Sequence, residues 1–314
     1  MALVCVVLVW VIFGLTASRY FTASNVVSVA SQMTVLMLLA TGQMFALVVR
    51  GFDISVGAVA ALSSTVTAVA FNRFGVAGLI VGPCVGLAAG TFNGVLIARL
   101  NVQPIIATLG TLLAARGISL LISDNGQIIV LVDPGSVIWL AFGKWLGFAP
   151  VVWLSVAAVI LASALLNFTV AGRRILMFGS NPEAAALVGM NKLKVHVSAY
   201  QITGVFASLA GVVMLTRAGA GLPTDGAGME LQSIAAAVIG GTSLFGGVGS
   251  VFGTAIGAGF VQSLMSGLNI SGISPFSAEI AIGAVIIAAS AATVAPELVG
   301  LFRRRFRYAK EAEK

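Results

Sequence analysis

Apolar runs follow one another through nearly the whole sequence, and they constrain the fold more than any other feature. A helix that crosses a membrane needs roughly 20 apolar residues. Hydrophobic residues occupy 59% of the 314 positions and charged residues 9%, which is more apolar surface than a soluble domain can bury. The sequence therefore predicts an all-α polytopic membrane protein of about ten transmembrane helices. The ten predicted spans are Ala2–Thr16, Val29–Val49, Ile54–Phe71, Val76–Ala98, Pro104–Ile122, Val151–Phe168, Val197–Thr216, Leu231–Phe245, Val251–Leu268 and Ser277–Ala295.

The first run has no basic residues before it, so we interpret it as a span with a slightly truncated start and not as a cleaved signal peptide. The eighth and ninth spans could be broken helices. Together the spans predict one transmembrane domain over residues 1–302, followed by a basic tail over residues 303–314.

The distribution of Lys and Arg predicts the orientation, because cytoplasmic loops carry an excess of both. Arg116 falls within a span, and the other basic residues divide unequally when both termini are placed in the cytoplasm. The cytoplasmic set is Arg50, Arg99, Arg173, Arg174, Lys192, Lys194, Arg303, Arg304, Arg305, Arg307, Lys310 and Lys314, against an outer set of Arg19, Arg73, Lys144 and Arg217. Both termini are therefore expected inside.

The longest polar interruption, Gly172–His196, lies on that cytoplasmic side and carries signals for a short surface helix. Asn181 can cap a helix N-terminus, Pro182 suits the first helical position, and Glu183 complements the positive end of the helix dipole. Gly189 provides a stop. We expect this helix to serve as a contact for a partner that pushes or pulls on the membrane domain.

Two series of glycines with a period of four occur in the fourth and ninth predicted spans. Such a period lets two helix backbones approach closely. The spans that carry them are equivalent if the chain consists of two inverted five-helix halves, and an acid precedes both the third span (Asp53) and the eighth (Glu230). A channel or secondary carrier could show the same pattern. The series are Gly82, Gly86, Gly90 and Gly94, and Gly249, Gly253 and Gly257.

Ionisable residues near membrane depth are costly unless they pair or line an aqueous path. Asp53 lies in the turn Gly51–Gly57, where it or Ser55 could cap the following helix, or where it could act as a gate. Arg116 either snorkels toward the outer surface or forms a buried ion pair.

Asn93, Thr108 and Thr111 could bind a polar solute or could bond one helix to another. Glu279 is a further acid near membrane depth without an evident partner.

The longest predicted outer connection, Ser123–Pro150, contains a helix start at Asp133-Pro134 followed by Trp139 and Trp145. Tryptophans at this spacing favour a helix at the membrane interface. A contact surface for an external protein is the alternative.

Several chemical classes lack their motifs in this chain. It contains no phosphate-binding G-x-x-x-x-G-K-[ST] loop, no H-E-x-x-H and no G-x-S-x-G. With one histidine and two cysteines we expect no metal site, and we predict no catalytic residue. The charge of +7 is scattered over helix ends, which does not indicate a nucleic-acid partner.

Taken in order, five segments resemble the permease subunits of bacterial ABC importers for ribose, xylose, galactose and related monosaccharides. The similarity extends over nearly the whole chain, although Arg50 stands where relatives often have a small residue. The matching segments are Gly51–Gly57, then Asn93-Gly94 with Pro104, Thr108–Thr111 and Arg116-Gly117, then Asn181–Ala185 with Gly189, then Leu231–Gly249, and finally Ser274–Phe276.

The resemblance implies a multi-pass protein of the bacterial inner membrane that pairs with a second permease copy or a paralogue. It implies a cytoplasmic ATPase, which would bind the ATP and Mg, and a periplasmic sugar-binding protein; the chain itself would hold no cofactor. The residues implied for ATPase coupling are Asn181, Pro182, Glu183, Ala184, Ala185 and Gly189. Those implied for the translocation path or gate are Asp53, Ser55, Gly57, Asn93, Thr108 and Arg116.

The sequence leaves open which sugar is carried and whether the permease dimer contains one chain or two. A stand-alone carrier or channel for small polar solutes is the alternative function. An intramembrane enzyme would need a catalytic pair at membrane depth, for which neither Asp53 nor Glu279 has an evident partner.

Overall fold

The computed structural model describes residues 2–274, 277, 279–281, 283, 284 and 287. Most of the tenth predicted span and all of the basic tail lie outside these residues. Within them the chain is mostly helical. The helices are α1 (Ala2–Thr16), α2 (Ala23–Val48), α3 (Val56–Phe74), a 3₁₀ helix (Gly75–Ile80), α4 (Val81–Arg99), α5 (Pro104–Ile122), α6 (Gly135–Phe142), α7 (Pro150–Phe168), α8 (Val170–Ser180), α9 (Pro182–Leu187), α10 (Lys192–Ala218), α11 (Met229–Ile239) and α12 (Val251–Ile270).

Six helical segments of the described chain are long and apolar enough to cross a membrane. They confirm a multi-pass membrane protein. Five are α2, α5, α7, α10 and α12, and the sixth is the 44-residue segment Val56–Arg99. The helices α1 and α11 are apolar but shorter.

The segment Val56–Arg99 is two antiparallel helices, α3 and α4, joined by the 3₁₀ turn. Gly75 has a φ of +60°, which breaks α3 at a conformation that favours glycine. Beyond the turn, Gly78 lies against the backbone of Ala70, and Gly82 lies near the hydroxyls of Thr67 and Ser63. The contacts therefore run backward along α3 as the chain runs forward along α4.

The helices α2 and α10 pack against each other at the centre of the bundle. The Thr203 hydroxyl on α10 donates to the carbonyl of Gly42 on α2 over 2.9 Å. Around this pair, α10 also packs against α3 and α4, while α2 packs against α11 and α12. Each central helix thus holds one flanking helix pair.

Both glycine series lie at close helix contacts, which confirms the predicted role of the four-residue period. A Cβ at Gly86 would overlap the carbonyl oxygen of Gly204 on α10. On α12, a Cβ at Gly253 or Gly257 would overlap carbonyl oxygens of Gly240 or Ala236 at the end of α11. Only glycine permits these backbone approaches.

The predicted bounds differ from the observed ones mainly at polar helix ends. The first and fifth spans coincide with α1 and α5, whereas the eighth ends at Ile239 and not at Phe245. The stretch 172–196 is mostly helical and not a loop, because α8 follows α7 directly after Thr169, whose hydroxyl accepts from the amide of Gly172. The helix α10 begins at Lys192 because the Asn191 side chain accepts from the amide of Lys194.

Two short strands connect loops at one end of the bundle. β1 (Ile129–Val130) pairs antiparallel with β2 (Ala220–Gly221). The helix predicted after Asp133-Pro134 is present as α6, which begins one residue beyond Pro134 and contains Trp139.

Candidate functional site: two inward-folded loops and a surface helix

The loop between α2 and α3 (residues 49–55) folds back into the bundle and does not stay at its surface. The amide of Gly51 donates to the carbonyl of Ala46 over 2.9 Å, which turns the chain back along α2. The side-chain amide of Gln43, with its nitrogen toward the Asp53 carbonyl, then pairs with both backbone groups of Asp53, at 2.9 and 3.2 Å. Gln43 lies five residues before the end of α2, so Asp53, which it binds, lies below the end of that helix. The helix α3, which begins three residues later, therefore starts below the surface of the bundle.

A hydrogen-bonded chain of side chains surrounds Asp53, which is 2% exposed. Its Oδ1 accepts from the backbone amide of Ser55 over 2.9 Å and from the Ser55 hydroxyl. Asn93 on α4 donates to the same hydroxyl over 3.2 Å, and Thr111 on α5 donates to Asn93 Oδ1. A buried carboxylate needs such partners, so these bonds fix α3, α4 and α5 around one acid.

The predicted helix-cap role of Asp53 and Ser55 is wrong in detail. Ser55 occupies the N-cap position of α3, but its side chain makes no capping bond. The Ser55 hydroxyl donates to Asp53 instead, so the two side chains bond to each other before the helix begins.

Thr108 and Tyr200 secure the same loop from two other helices. Both hydroxyls lie 3.3 Å from the carbonyl oxygen of Phe52, and Thr108 also donates to Pro104 on its own helix over 2.9 Å. Tyr200 is fully buried and adjoins Gly51. The loop is therefore held by contacts from α2, α4, α5 and α10.

A second loop, residues 219–228 between α10 and α11, approaches the first from the other end of the bundle. The Arg116 guanidinium on α5 donates to the carbonyl of Asp225 over 2.9 Å and lies 3.4 Å from that of Pro223. Arg116 therefore binds backbone carbonyls, and no carboxylate of the described residues forms the predicted ion pair with it. Gly226, with a φ of +78°, meets Gly57 at the start of α3, where a Cβ on either residue would be too close to the other backbone.

The predicted surface helix is present as α9, and its local details are as expected. Asn181 Oδ1 accepts from the amide of Ala184 over 3.0 Å, and Pro182 is the first helical residue. Glu183 lies in the first turn, and Gly189 ends the motif with a φ of +76°. These bonds stabilise a helix of only six residues, which is too short to be stable alone.

Three chain segments meet immediately before α9, at a junction that no sequence signal except the unusual Arg50 indicated. The Arg50 guanidinium donates to the carbonyls of Gly179 and Ser180, at the end of α8, over 2.7 and 2.8 Å. The amide of Gly247, in the loop before α12, donates to the carbonyl of Val48 over 2.9 Å. We call these contacts the α2–α8–α12 junction.

The structure brings the six predicted path or gate residues into two adjoining clusters. Asp53, Ser55, Asn93 and Thr108 hold the first loop, while Gly57 and Arg116 contact the second. The six predicted coupling residues lie apart from them on α9 and its ends. Arg50 links the two regions directly, because it lies in the loop that carries Asp53 and its guanidinium binds the end of α8, next to α9.

The glutamate near membrane depth, Glu279, is exposed in the described part of the chain and takes no part in either cluster. Among the described residues, no group of three or more His, Cys, Asp or Glu side chains is arranged to hold a metal ion.

Apolar helices packed around two inward-folded polar loops define a multi-pass protein of the transporter class. The chain belongs to the family described as the permease component of branched-chain amino acid transport systems, whose model matches residues 25–290.

Curated relatives match over most of their length. The ribose import permease of Escherichia coli K12 is 32% identical over 92% of this chain and 91% of its own. The D-allose permease of the same strain is 37% identical over 89% and 86%, and its L-arabinose permease is 33% identical over 80% and 77%. No solved structure matches the chain. The resemblance to sugar importer permeases, and the placement in the inner membrane, are thereby confirmed.

Proposed function

We propose that this chain is the transmembrane subunit of an ATP-driven importer that moves a monosaccharide, a ribose-like pentose or a related hexose, across the inner membrane. The observation that carries the proposal is similarity to sugar import permeases over 80–92% of the chain, together with a surface helix built as the coupling contact requires. The partners that this function needs are a cytoplasmic ATPase, a periplasmic sugar-binding protein, and a second permease copy or paralogue.

The packing supports two inverted halves of five helices each. If α2 and α10 are equivalent, then α3 and α4, which pack on α10, correspond to α11 and α12, which pack on α2. The two inward-folded loops are equivalent in the same scheme, since each precedes the first helix of its pair. Inverted halves whose broken helices meet near the membrane centre are common in transporters.

Charge supports an orientation with α9 in the cytoplasm. On the helix ends that share a face with α9, six basic residues of the described chain accumulate, against four on the opposite face. Lys192 on this face also donates to Asn101 over 2.6 Å, which ties the starts of α5 and α10 together. The first set is Arg50, Arg99, Arg173, Arg174, Lys192 and Lys194, and the second is Arg19, Arg73, Lys144 and Arg217.

In this function α9 transmits the movement of the ATPase to the membrane helices. The helix is exposed on its Glu183 side, while Ala185 is buried against the bundle. The α2–α8–α12 junction joins its start to the loop that carries Asp53. We assign the two inward-folded loops as the gate, because the second loop meets the end of the first at Gly57 and Gly226, and because α5 binds both loops, through Thr108 and Arg116.

Reconstitution with the ATPase and the binding protein tests the proposal. Proteoliposomes containing the complete importer should accumulate at least one of D-ribose, D-allose or L-arabinose only when ATP is supplied. Uptake that survives ATP depletion, or that needs no ATPase subunit, would identify a stand-alone carrier or channel instead.

Two variants test the coupling role of α9 directly. Glu183→Lys reverses the charge at the start of the helix, and Gly189→Pro cannot adopt the φ of +76° found there. Both should hydrolyse ATP without matching uptake while still inserting in the membrane. Asp133→Lys, a charge reversal on the opposite face, is the matched control and should transport normally. Normal transport by both α9 variants contradicts the coupling role.

A further inference from the structure

A cleft lined by carboxamide side chains opens between α2, α11 and α12. Its cavity is about 440 Å³, within the range of roughly 300–1,000 Å³ that is usual for small-molecule sites. Among the described residues, no charged side chain lines it. Five of its lining residues are amides, namely Asn25, Gln32, Gln232, Gln262 and Asn269.

Amide side chains on membrane helices are costly unless their polar atoms have partners. Part of the set is paired across the cleft: Gln262 donates to Gln32 Oε1 over 3.0 Å, and Ser266 donates to Asn25 Oδ1 over 3.0 Å. Gln232 and Asn269 make no side-chain hydrogen bond to the described residues. The cleft therefore presents free donors and acceptors to whatever enters it.

The cleft is open at one end and closed at the other. It shares Ser28, Gln32 and Met229 with a neighbouring cavity of about 550 Å³. That cavity extends to Lys144, after α6, and to Arg217, at the end of α10. In the opposite direction, every residue of α2 and its end from 34 to 49 is buried. A solute entering past Arg217 would thus stop next to the start of α11, beside the second inward-folded loop.

We propose that this amide cleft binds the neutral polyhydroxyl solute during passage, through Gln232 and Gln262. A carboxamide holds a donor and an acceptor side by side, which suits the adjacent hydroxyls of a sugar, and the uncharged lining gives no advantage to ions. The inference rests on the proposed function and adds to it the place and the chemistry of the sugar contact. The affinity of the cleft for the sugar should be low, because few hydrogen bonds form in a cleft that is open to water.

Transport by the complete importer tests the proposal, with the sugar that the unaltered protein carries among D-ribose, D-allose and L-arabinose. Replacing an amide by leucine removes both donor and acceptor while keeping the side-chain volume similar. Each of Gln232→Leu and Gln262→Leu should lower uptake at subsaturating sugar roughly two- to tenfold, with ATPase activity retained. Leu231→Ala, at the neighbouring exposed position outside the cleft, should leave uptake unchanged.

A thiol probe provides a readout that does not depend on transport. In a chain with Cys5 and Cys84 replaced by alanine, Gln232→Cys should react with the membrane-impermeant reagent 2-sulfonatoethyl methanethiosulfonate, and the transported sugar should slow the reaction. Val26→Cys, which lies in an apolar groove on the other side of α2, should not react. Unchanged uptake in a Gln232→Leu, Gln262→Leu double variant overturns the proposal.

A disulfide formed between two Gln232→Cys chains, in place of reaction with the reagent, also overturns it. That result would mean that a second copy of this chain fills the cleft. Failure of the unaltered importer to take up any of the three sugars would instead count against the proposed function.

Discussion

Replacing Arg50 by methionine should weaken the link between the coupling helix and the gate. Methionine keeps the length of the side chain and its β-carbon, so the cost of the left-handed φ of +62° is unchanged. What disappears is the pair of hydrogen bonds to the carbonyls of Gly179 and Ser180, at 2.7 and 2.8 Å. The end of α8 then keeps the backbone contact of Gly179 with Val48 on α2, and the Ser180 hydroxyl donates over 3.4 Å to Gly247, whose amide bonds to Val48.

The magnitude follows from these two bonds. A hydrogen bond from a charged group contributes about 1.5–3 kcal/mol when it is shielded from water. Because Arg50 is exposed, we assign about 1 kcal/mol to each bond and about 2 kcal/mol to the pair. That free energy corresponds to a change of roughly 30-fold in the ratio of attached to detached α8 ends. The number of sugar molecules imported per ATP hydrolysed should fall severalfold and by no more than this factor.

The assay is simultaneous measurement of uptake and ATP hydrolysis in proteoliposomes with the complete importer. Arg99→Met is the control, since Arg99 lies on the same face, is exposed, and makes no side-chain hydrogen bond to the described residues. Arg50→Gly should lie between Arg50→Met and the unaltered protein in thermal stability, because glycine removes a conformational cost of about 1 kcal/mol. Wild-type stoichiometry in Arg50→Met would refute the assignment of this junction as the link.

Three further predictions concern helix packing and the two loops. Gly204→Val should lower the melting temperature strongly, because the valine side chain would collide with the Gly86 backbone. Gly110→Ala has open space around it and should be neutral or stabilising by up to about 1 kcal/mol. A thermal melt in detergent compares the two variants. Asn93→Leu leaves the Thr111 hydroxyl without its acceptor and removes the amide that donates to the Ser55 hydroxyl. It should cost about 1–3 kcal/mol by the same measurement, a result that unchanged stability would contradict. Arg116→Lys keeps the positive charge but has fewer donors than the guanidinium, so it should retain more uptake than Arg116→Met. An equal loss of uptake in both variants would argue against a role for the bond between Arg116 and the Asp225 carbonyl.

The local signals in the sequence predicted local structure well. Asn181, Pro182 and Gly189 each act at the level of one helix end, and α9 forms as those residues indicate. The glycine period likewise predicted close packing, because the need for it arises on one helix face. Two predicted span ends were wrong. The helix α10 begins at Lys192, because polar residues extend it before the predicted start at Val197. The helix α11 ends at Ile239, because the pair Gly240-Gly241 stops it before Phe245.

Contacts between distant segments were beyond prediction. Nothing near Arg50 in the sequence indicates that its guanidinium meets the end of α8, some 130 residues later. Arg116 was expected to snorkel or to pair with an acid, but its partners are carbonyls of a loop whose path depends on the whole bundle. The amide cleft was also missed, because its glutamines lie on three separate helices and each alone is an ordinary polar residue.

The backbone contact between α4 and α10 has a mechanical consequence. With 27 residues, α10 is about 40 Å long, and four residues separate its start from the end of α9. The glycines of α4, together with Gly204 of α10, let the two backbones approach closely along the length of α4, so the two helices should bend as one stiff unit. In the proposed importer, a displacement of α9 would therefore reach the loop at residues 219–228, at the other end of α10, with little loss along the way. The stiffness of the helix pair would then connect the ATPase to the second half of the proposed gate without a chain of side-chain rearrangements.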